Sequence, residues 1–74
     1  MHQLYTLHFN YPEAQYDNTI YKDSMTAAAA IELYARGIHV SQSSATTLVF
    51  ESERDRTFAS LLFSSSTDYE LELQ

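Results

Sequence analysis

The sequence predicts an α+β domain in which helices cover one face of an antiparallel sheet. Three stretches of the 74-residue chain carry this prediction: an alanine-rich segment with helix signals at both ends, and one segment near each terminus whose apolar and polar residues alternate. Apolar residues repeating every three to four positions indicate a helix, whereas strict alternation indicates a half-buried strand. We expect one domain over residues 1–74, because a chain this short has room for one core.

The first helix is predicted over residues 24–36. Asp23 and Ser24 are both suitable N-caps, since a short side-chain oxygen accepts a backbone N–H left free in the first turn. The interior is rich in alanine, which has the highest helix propensity. Gly37, the only glycine, follows where a left-handed residue ends many helices.

One face of this helix is predicted to lie on the sheet. Helical spacing places Ala27, Ala30, Ile31, Tyr34 and Ala35 on that face. Glu32 and Arg36 are spaced i, i+4 on the other face, in the order that favours an ion pair. The helix needs the sheet, because an isolated helix of this length is marginally stable in water.

The first strand is predicted within residues 3–10, with Tyr5, Leu7 and Phe9 alternating with polar residues. Pro12 interrupts it, because proline cannot donate to a ladder. Residues 16–21 fit two alternatives equally: a short second strand that forms a hairpin, or an ordered loop that enters the helix.

The middle of the chain predicts two strands joined by a turn. Residues 38–40 form a short strand, and the serine-rich residues 41–44 have the composition of a turn. Residues 46–51 are rich in β-branched and aromatic types and predict the next strand. In that strand we expect Leu48 and Phe50 to face the core.

Residues 52–64 favour a second helix. Ser52 is a good N-cap with acidic residues following it in the first turn. The expected buried positions are Phe58, Leu61 and Leu62, spaced i, i+3, i+4. The competing interpretation is a hairpin that turns near residues 53–55 and returns as a strand.

The last strand is predicted from alternation at the end of the chain. Tyr69, Leu71 and Leu73 should be buried, and Asp68, Glu70 and Glu72 should form a row of carboxylates on the other face.

These elements follow the order β-α-β-β-α-β, which gives a ferredoxin-like two-layer sandwich of two split βαβ units. The segment 48–58 resembles the corner between the third strand and second helix of such domains. Both helices would then cover one face of the sheet and leave the other open. The alternative is an antiparallel sheet of four to five strands that carries only the helix over 24–36.

Charge and composition exclude several classes of function. Ten acidic residues and four Lys or Arg give a formal charge of −6, and the four cations form no stripe, so we expect no direct nucleic-acid binding. The chain lacks cysteine and any apolar run long enough for a membrane span, so we expect a soluble, cytoplasmic protein.

We find no catalytic, cofactor-binding or metal-binding pattern, and we expect a protein that is not an enzyme. His2, His8 and His39 are too far apart in sequence to indicate a site, and His8 is expected on the outer face of the first strand. The serines occur in runs typical of loops, and the paired carboxylates are expected to face solvent.

Two groups of residues are candidates for protein binding. One precedes the first helix and combines tyrosines with acids: Tyr11, Glu13, Tyr16, Asp17 and Tyr21. The other consists of three carboxylates that the open sheet face would align: Glu51, Glu70 and Glu72. Tyrosines are enriched at interfaces, and neighbouring acids favour a basic partner. Alternatively, the tyrosines before the helix merely cover a small core, as we expect for Tyr5, Tyr34 and Tyr69.

The leading hypothesis is a non-enzymatic protein-binding module with a basic protein partner. A small, acidic, cysteine-free α+β chain is similar in type to phage-encoded inhibitors of host defence, including anti-CRISPR proteins. This resemblance implies that the acids occupy lysine and arginine sites meant for phosphates. The alternative is a structural or regulatory homodimer that associates through an edge strand or the open sheet face.

Overall fold

The computed structural model describes residues 3–12 and 19–73 of the chain. Within these ranges, four strands and two helices follow the predicted order. Their bounds are Tyr5–Asn10 (β1), Thr19–Ala35 (α1), Val40–Ser44 (β2), Thr47–Phe50 (β3), Glu53–Phe63 (α2) and Glu70–Leu73 (β4). The alternative with a single helix is therefore wrong.

The four strands form one antiparallel sheet in the order β2-β3-β1-β4. Each helix connects two strands that are separated in the sheet by a third, so the chain forms two interleaved split βαβ units. Helix α1 packs on β2 and β3, and α2 packs on β1 and β3. The α+β prediction is confirmed, and the arrangement is consistent with a ferredoxin-like two-layer sandwich.

Helix α1 begins earlier than predicted, at Thr19, so Asp23 and Ser24 lie inside the helix and do not cap it. The Asp23 carboxylate instead accepts a hydrogen bond from Gln42 Nε2 of β2, at 2.9 Å. Residues 19–21 are helical, which excludes both the strand and the loop for that part of the ambiguous segment. Residues 16–18 lie outside the described ranges.

The buried face of α1 includes Ala30 as predicted, but it is rotated relative to the predicted face. Its buried residues are Thr26, Ala29, Ala30 and Leu33, which share the i, i+3, i+4, i+7 spacing. Ile31 and Tyr34, expected in the core, are 68% and 56% exposed. The observed rotation is more favourable than the predicted one, because it buries Leu33 completely and lets the Tyr34 hydroxyl donate to the Val40 carbonyl of β2.

The predicted end of α1 and its ion pair are confirmed. Gly37 has a φ of 79°, a conformation that glycine adopts without a Cβ penalty. The Ile38 N–H donates to the Leu33 carbonyl at 3.0 Å, the bond that characterises a Schellman cap. Arg36 and Glu32 approach to 3.7 Å.

The prediction for β2 is wrong by several residues. The strand covers the serine-rich segment 40–44, and the turn to β3 lies at residues 45–46. β2 is an edge strand with a bulge between Gln42 and Ser44. Polar residues suit such a position, because one face of the strand and its outer edge contact water.

β3 and the start of α2 agree with the predictions. Leu48 and Phe50 are fully buried. Ser52 caps α2, since its Oγ accepts from the Asp55 N–H at 3.3 Å. The hairpin interpretation is wrong. The predicted buried face of α2 is wrong at Phe58 and Leu61, which are 45% and 69% exposed, whereas Leu62 packs against the core as predicted. The buried residues are instead Ala59 and Phe63.

The carboxylates of β4 point outward as predicted, but its leucines are more exposed to solvent than predicted. Leu71 is half-buried and Leu73 is 55% exposed. Both lie on the side of the sheet that bears the helices, opposite Phe9 and Leu7 of β1. Because β4 is at the edge and α2 packs on the central strands, Leu73 remains accessible to solvent.

A buried hydroxyl links three segments of the fold. Thr26 of α1 has no exposed surface, and its Oγ1 donates to the Ala45 carbonyl in the β2–β3 turn at 2.7 Å. Because its proton is used in that bond, Thr26 Oγ1 accepts a hydrogen bond from the Tyr11 hydroxyl at 2.8 Å. The end of β1, the middle of α1 and the hairpin turn are thus joined through one atom.

We predict that Thr26→Val lowers the free energy of unfolding by about 1–3 kcal/mol, because it leaves the buried Tyr11 hydroxyl and the half-buried Ala45 carbonyl without their shared partner. Thr26→Ser keeps the hydroxyl and removes one methyl group, so it is the matched control and should cost less. Urea denaturation of the three proteins measures the difference. Equal stability of the Val and Ser variants would show that the hydroxyl is not required.

Candidate functional site

The basic and acidic side chains are distributed unequally between the two layers. All four Lys and Arg residues of the chain lie on or directly after the helices: Lys22, Arg36, Arg54 and Arg56. The charged residues within the strands are Glu70 and Glu72, both on β4. The sheet layer of the described chain therefore presents negative charge, and the helix layer contains both signs.

We use the term open sheet face for the strand residues that point away from the helices. They are Thr6, His8, Asn10, Ser41, Ser44, Thr47, Val49, Glu70 and Glu72. This face is dominated by hydroxyl, amide and carboxylate groups, with Val49 as its one large aliphatic side chain among the described residues. Such a surface suits contacts through charge and hydrogen bonds better than hydrophobic docking.

His8 lies in the middle of the open sheet face, between β3 and β4. It pairs with Thr47 of β3 and with Glu72 of β4 in the strand register. Its Nδ1 is 3.1 Å from Thr47 Oγ1, so the ring is held toward β3. The sequence correctly predicts its position on the outer face, although the neighbouring strands leave it half-buried.

Glu70 and Glu72 form the acidic part of this face. Both are exposed, and they stand opposite Asn10 and His8 of β1. Two residues apart on one strand, their Cα atoms are separated by about 7 Å. A cationic partner can therefore meet both carboxylates at once.

Glu51 is exposed but does not align with the other two. It follows the end of β3, where the register continues to the level of Leu4, four residues before His8. This offset corresponds to about 13 Å along the strand, in addition to the separation of β3 from β4. Glu51 instead borders a shallow concavity beside Tyr34 and Val49. The open sheet face thus brings together two of the three predicted carboxylates.

The segment before α1 contributes less surface than expected. Tyr11 is buried, with 7% of its surface exposed, so its ring belongs to the core and not to a contact surface. Tyr21, in the first turns of α1, is 45% exposed. Glu13, Tyr16 and Asp17 lie outside the described residues.

Tyr11 is held by an aromatic cluster at the β1–β4 end of the core. Its ring packs with Phe9 and Tyr69, at centroid distances of 6.3 and 5.7 Å, and Phe63 also contacts Phe9. Such edge and offset arrangements are favourable for aromatic rings. The sequence places Tyr69 in the core correctly, but it gives no local sign that Tyr11 joins it after the strand has ended.

Burial raises the pKa of both cluster tyrosines above the ordinary value. For Tyr11, desolvation outweighs the hydrogen bond to Thr26, which acts in the opposite direction. For Tyr69, desolvation again dominates over a hydrogen bond with Ser66, and Asp68 adds to the increase. Both hydroxyls therefore remain protonated in the folded chain to a higher pH than in the unfolded chain.

The described residues show no constellation with evident chemistry. In ranges 3–12 and 19–73, no group of three or more His, Cys, Asp or Glu side chains is placed to hold a metal ion. Neither helix in the same ranges has the length and apolar character required to cross a bilayer.

No protein-family model matches the chain, and no significant match to it was found among curated proteins or solved structures.

Sequence reasoning missed one feature of the surface and one of the core. It did not identify β4 as an edge strand with an accessible leucine, because strand order depends on long-range pairing. It also missed the structural role of Thr26, whose signal is a hydroxyl residue directly before a run of four alanines. A polar residue within the apolar stripe of a helix suggests a buried partner.

We predict that stability falls as the pH rises above about 10, where tyrosines in the unfolded chain lose their protons while Tyr11 and Tyr69 retain theirs. The unfolded state then binds fewer protons, so alkali favours it. Tyr69→Phe should reduce this decline, measured as the free energy of unfolding between pH 8 and pH 11. Tyr5→Phe, at a tyrosine that contributes to neither pKa, is the control, and identical slopes for the Tyr69 variant and the parent would contradict the prediction.

Proposed function

We propose that the chain is a non-enzymatic protein-binding module whose open sheet face contacts a basic surface of a partner protein. The observation that carries this proposal is the separation of charge between the layers. Every Lys and Arg lies in the helix layer, whereas the exposed carboxylates Glu70 and Glu72 stand on a strand without a cation beside them in the sheet. A basic surface can approach this face without meeting like charge.

Electrostatic attraction would contribute most to the speed and selectivity of binding. Exposed carboxylates act over roughly 8–10 Å at ordinary ionic strength, so they guide an approaching cationic surface before contact. The polar groups around them then offer hydrogen bonds in place of a hydrophobic anchor. We therefore expect binding that weakens steeply as salt is added.

The finer proposal concerns the partner. A small acidic domain that binds a basic surface fits an inhibitor of phage type, which covers the nucleic-acid-binding surface of a host defence complex. In this mode Glu70 and Glu72 would take positions that phosphates otherwise occupy. The support is the acidity of the chain, the absence of Lys and Arg from the strands and the absence of Phe, Tyr and Trp from the described part of the open face.

A second candidate is a homodimer, since the edge of β4 offers backbone groups to a second copy, although the glutamates of two paired β4 strands would repel each other. Light scattering at micromolar concentration tests it directly, since a dimer gives twice the mass of the chain. A monomer at all concentrations would remove this candidate and leave the proposal of a basic partner in place.

Replacing the two carboxylates tests the proposed surface. We predict that Glu70→Gln with Glu72→Gln weakens capture of a basic protein from a host lysate by about tenfold at low salt, since each rim charge contributes modestly to affinity and more to the rate of encounter. The salt dependence of the remaining binding should also become shallower.

The matched control removes the same charge from the helix layer through Glu32→Gln with Glu53→Gln. It should change the affinity by less than about twofold, because these residues lie in the helix layer, on the other side of the sheet from the proposed contact surface. Equal losses of affinity in the two double variants would indicate a general effect of net charge and would contradict a defined acidic surface. If the captured protein binds the chain through its phosphate-binding sites, excess duplex DNA should compete for those sites and release the protein from the chain.

A further inference from the structure

The two edges of the sheet are protected to different degrees. β2 carries a bulge, and two of its backbone carbonyls accept hydrogen bonds from side chains. The Tyr34 hydroxyl donates to the Val40 carbonyl, and Gln42 Nε2 donates to the Ser44 carbonyl at 3.1 Å. Bulges and side-chain contacts of this kind discourage pairing with another chain.

β4 lacks these devices within the described chain. It pairs regularly with β1, without a bulge, lysine or proline, and no side chain of the described ranges bonds to its backbone. The backbone N–H and C=O groups on the outer side of β4 therefore remain available to pair with a further strand. Leu73, 55% exposed on the helix side of the sheet, adds apolar surface that a neighbouring strand would cover.

A second copy of the chain is a poor occupant of this edge. If two β4 strands pair antiparallel with their leucines on the same face, a glutamate necessarily stands opposite a glutamate. In the register centred on Leu71, for example, Glu70 of one copy meets Glu72 of the other. Like charges directly opposite each other destabilise a strand pair. Registers shifted by one residue avoid this repulsion, but they place a leucine of one copy opposite a glutamate of the other.

We infer that β4 accepts an extended basic segment of the partner protein as a fifth strand. Alternation in that segment would place Lys or Arg beside Glu70 and Glu72, and apolar side chains beside Leu71 and Leu73. Backbone hydrogen bonds would supply affinity and the alternating side chains would supply selectivity, as in other cases of strand addition. This inference rests on the proposed function and specifies how the basic partner is bound.

Two capped peptides of equal charge test the inference against the intact chain. KVKVKVK can form a strand, whereas KPKPKPK keeps the lysines but cannot donate regularly to a ladder. We expect the valine peptide to bind at least about tenfold tighter in an NMR titration at low salt, with amide shifts and slowed exchange at residues 70–73. EVEVEVE should not bind, and Glu70→Gln with Glu72→Gln should weaken the valine peptide.

The outcomes separate this inference from the proposed function. Equal binding of both lysine peptides, or shifts centred on β2, would overturn strand addition at β4 and leave charge-based binding intact. Failure of both lysine peptides to bind would overturn the inference, and the lysate capture would decide the proposed function independently. Exchange protection of β4 that rises with protein concentration would identify a second copy as the occupant and also overturn it.

Discussion

The fold depends on one constraint: two helices cover a single face of a four-stranded sheet. The core lies entirely between these layers, where Leu7, Phe9, Leu48 and Phe50 of the central strands are fully buried. Because strand side chains alternate, burying one set commits the other set to solvent. The open sheet face is therefore a direct consequence of how the core is built, and its composition is free to serve binding.

Polar contacts complete this core at its margins. The helix α1 carries small alanines toward the sheet, so its backbone approaches closely and Thr26 reaches the β2–β3 turn. Tyr11 closes the same region by forming a hydrogen bond with Thr26 and by packing against Phe9 and Tyr69 in the aromatic cluster. A tyrosine and a threonine thus act as core residues, because each buried hydroxyl has a partner.

The proposed binding properties follow from the same architecture. Cations are confined to the helix layer, where Arg36 pairs with Glu32 and Arg56 lies 5.2 Å from the centre of the Tyr5 ring. The sheet contributes carboxylates at one edge, and that edge is also the less protected one. Charge and an accessible backbone therefore coincide at β4, which gives a basic, extended segment two separate reasons to bind there.

Local signals in the sequence determined much of this fold. The element order, the inward positions of Leu48 and Phe50, the Ser52 cap and the Gly37 helix end all follow from interactions between near neighbours. The outward positions of Glu70 and Glu72 follow equally from alternation along one strand.

Only the tertiary structure decided which helix faces are buried and which strands lie at the edges. Two overlapping stripes of α1 satisfy helical spacing, and the choice of Leu33 over Ile31 depends on the shape of the sheet beneath. Tyr11 is buried because Thr26 and Tyr69 meet it from distant parts of the chain. The serine-rich β2 is a strand because β3 pairs with it, and long-range pairing of this kind leaves no mark in local composition.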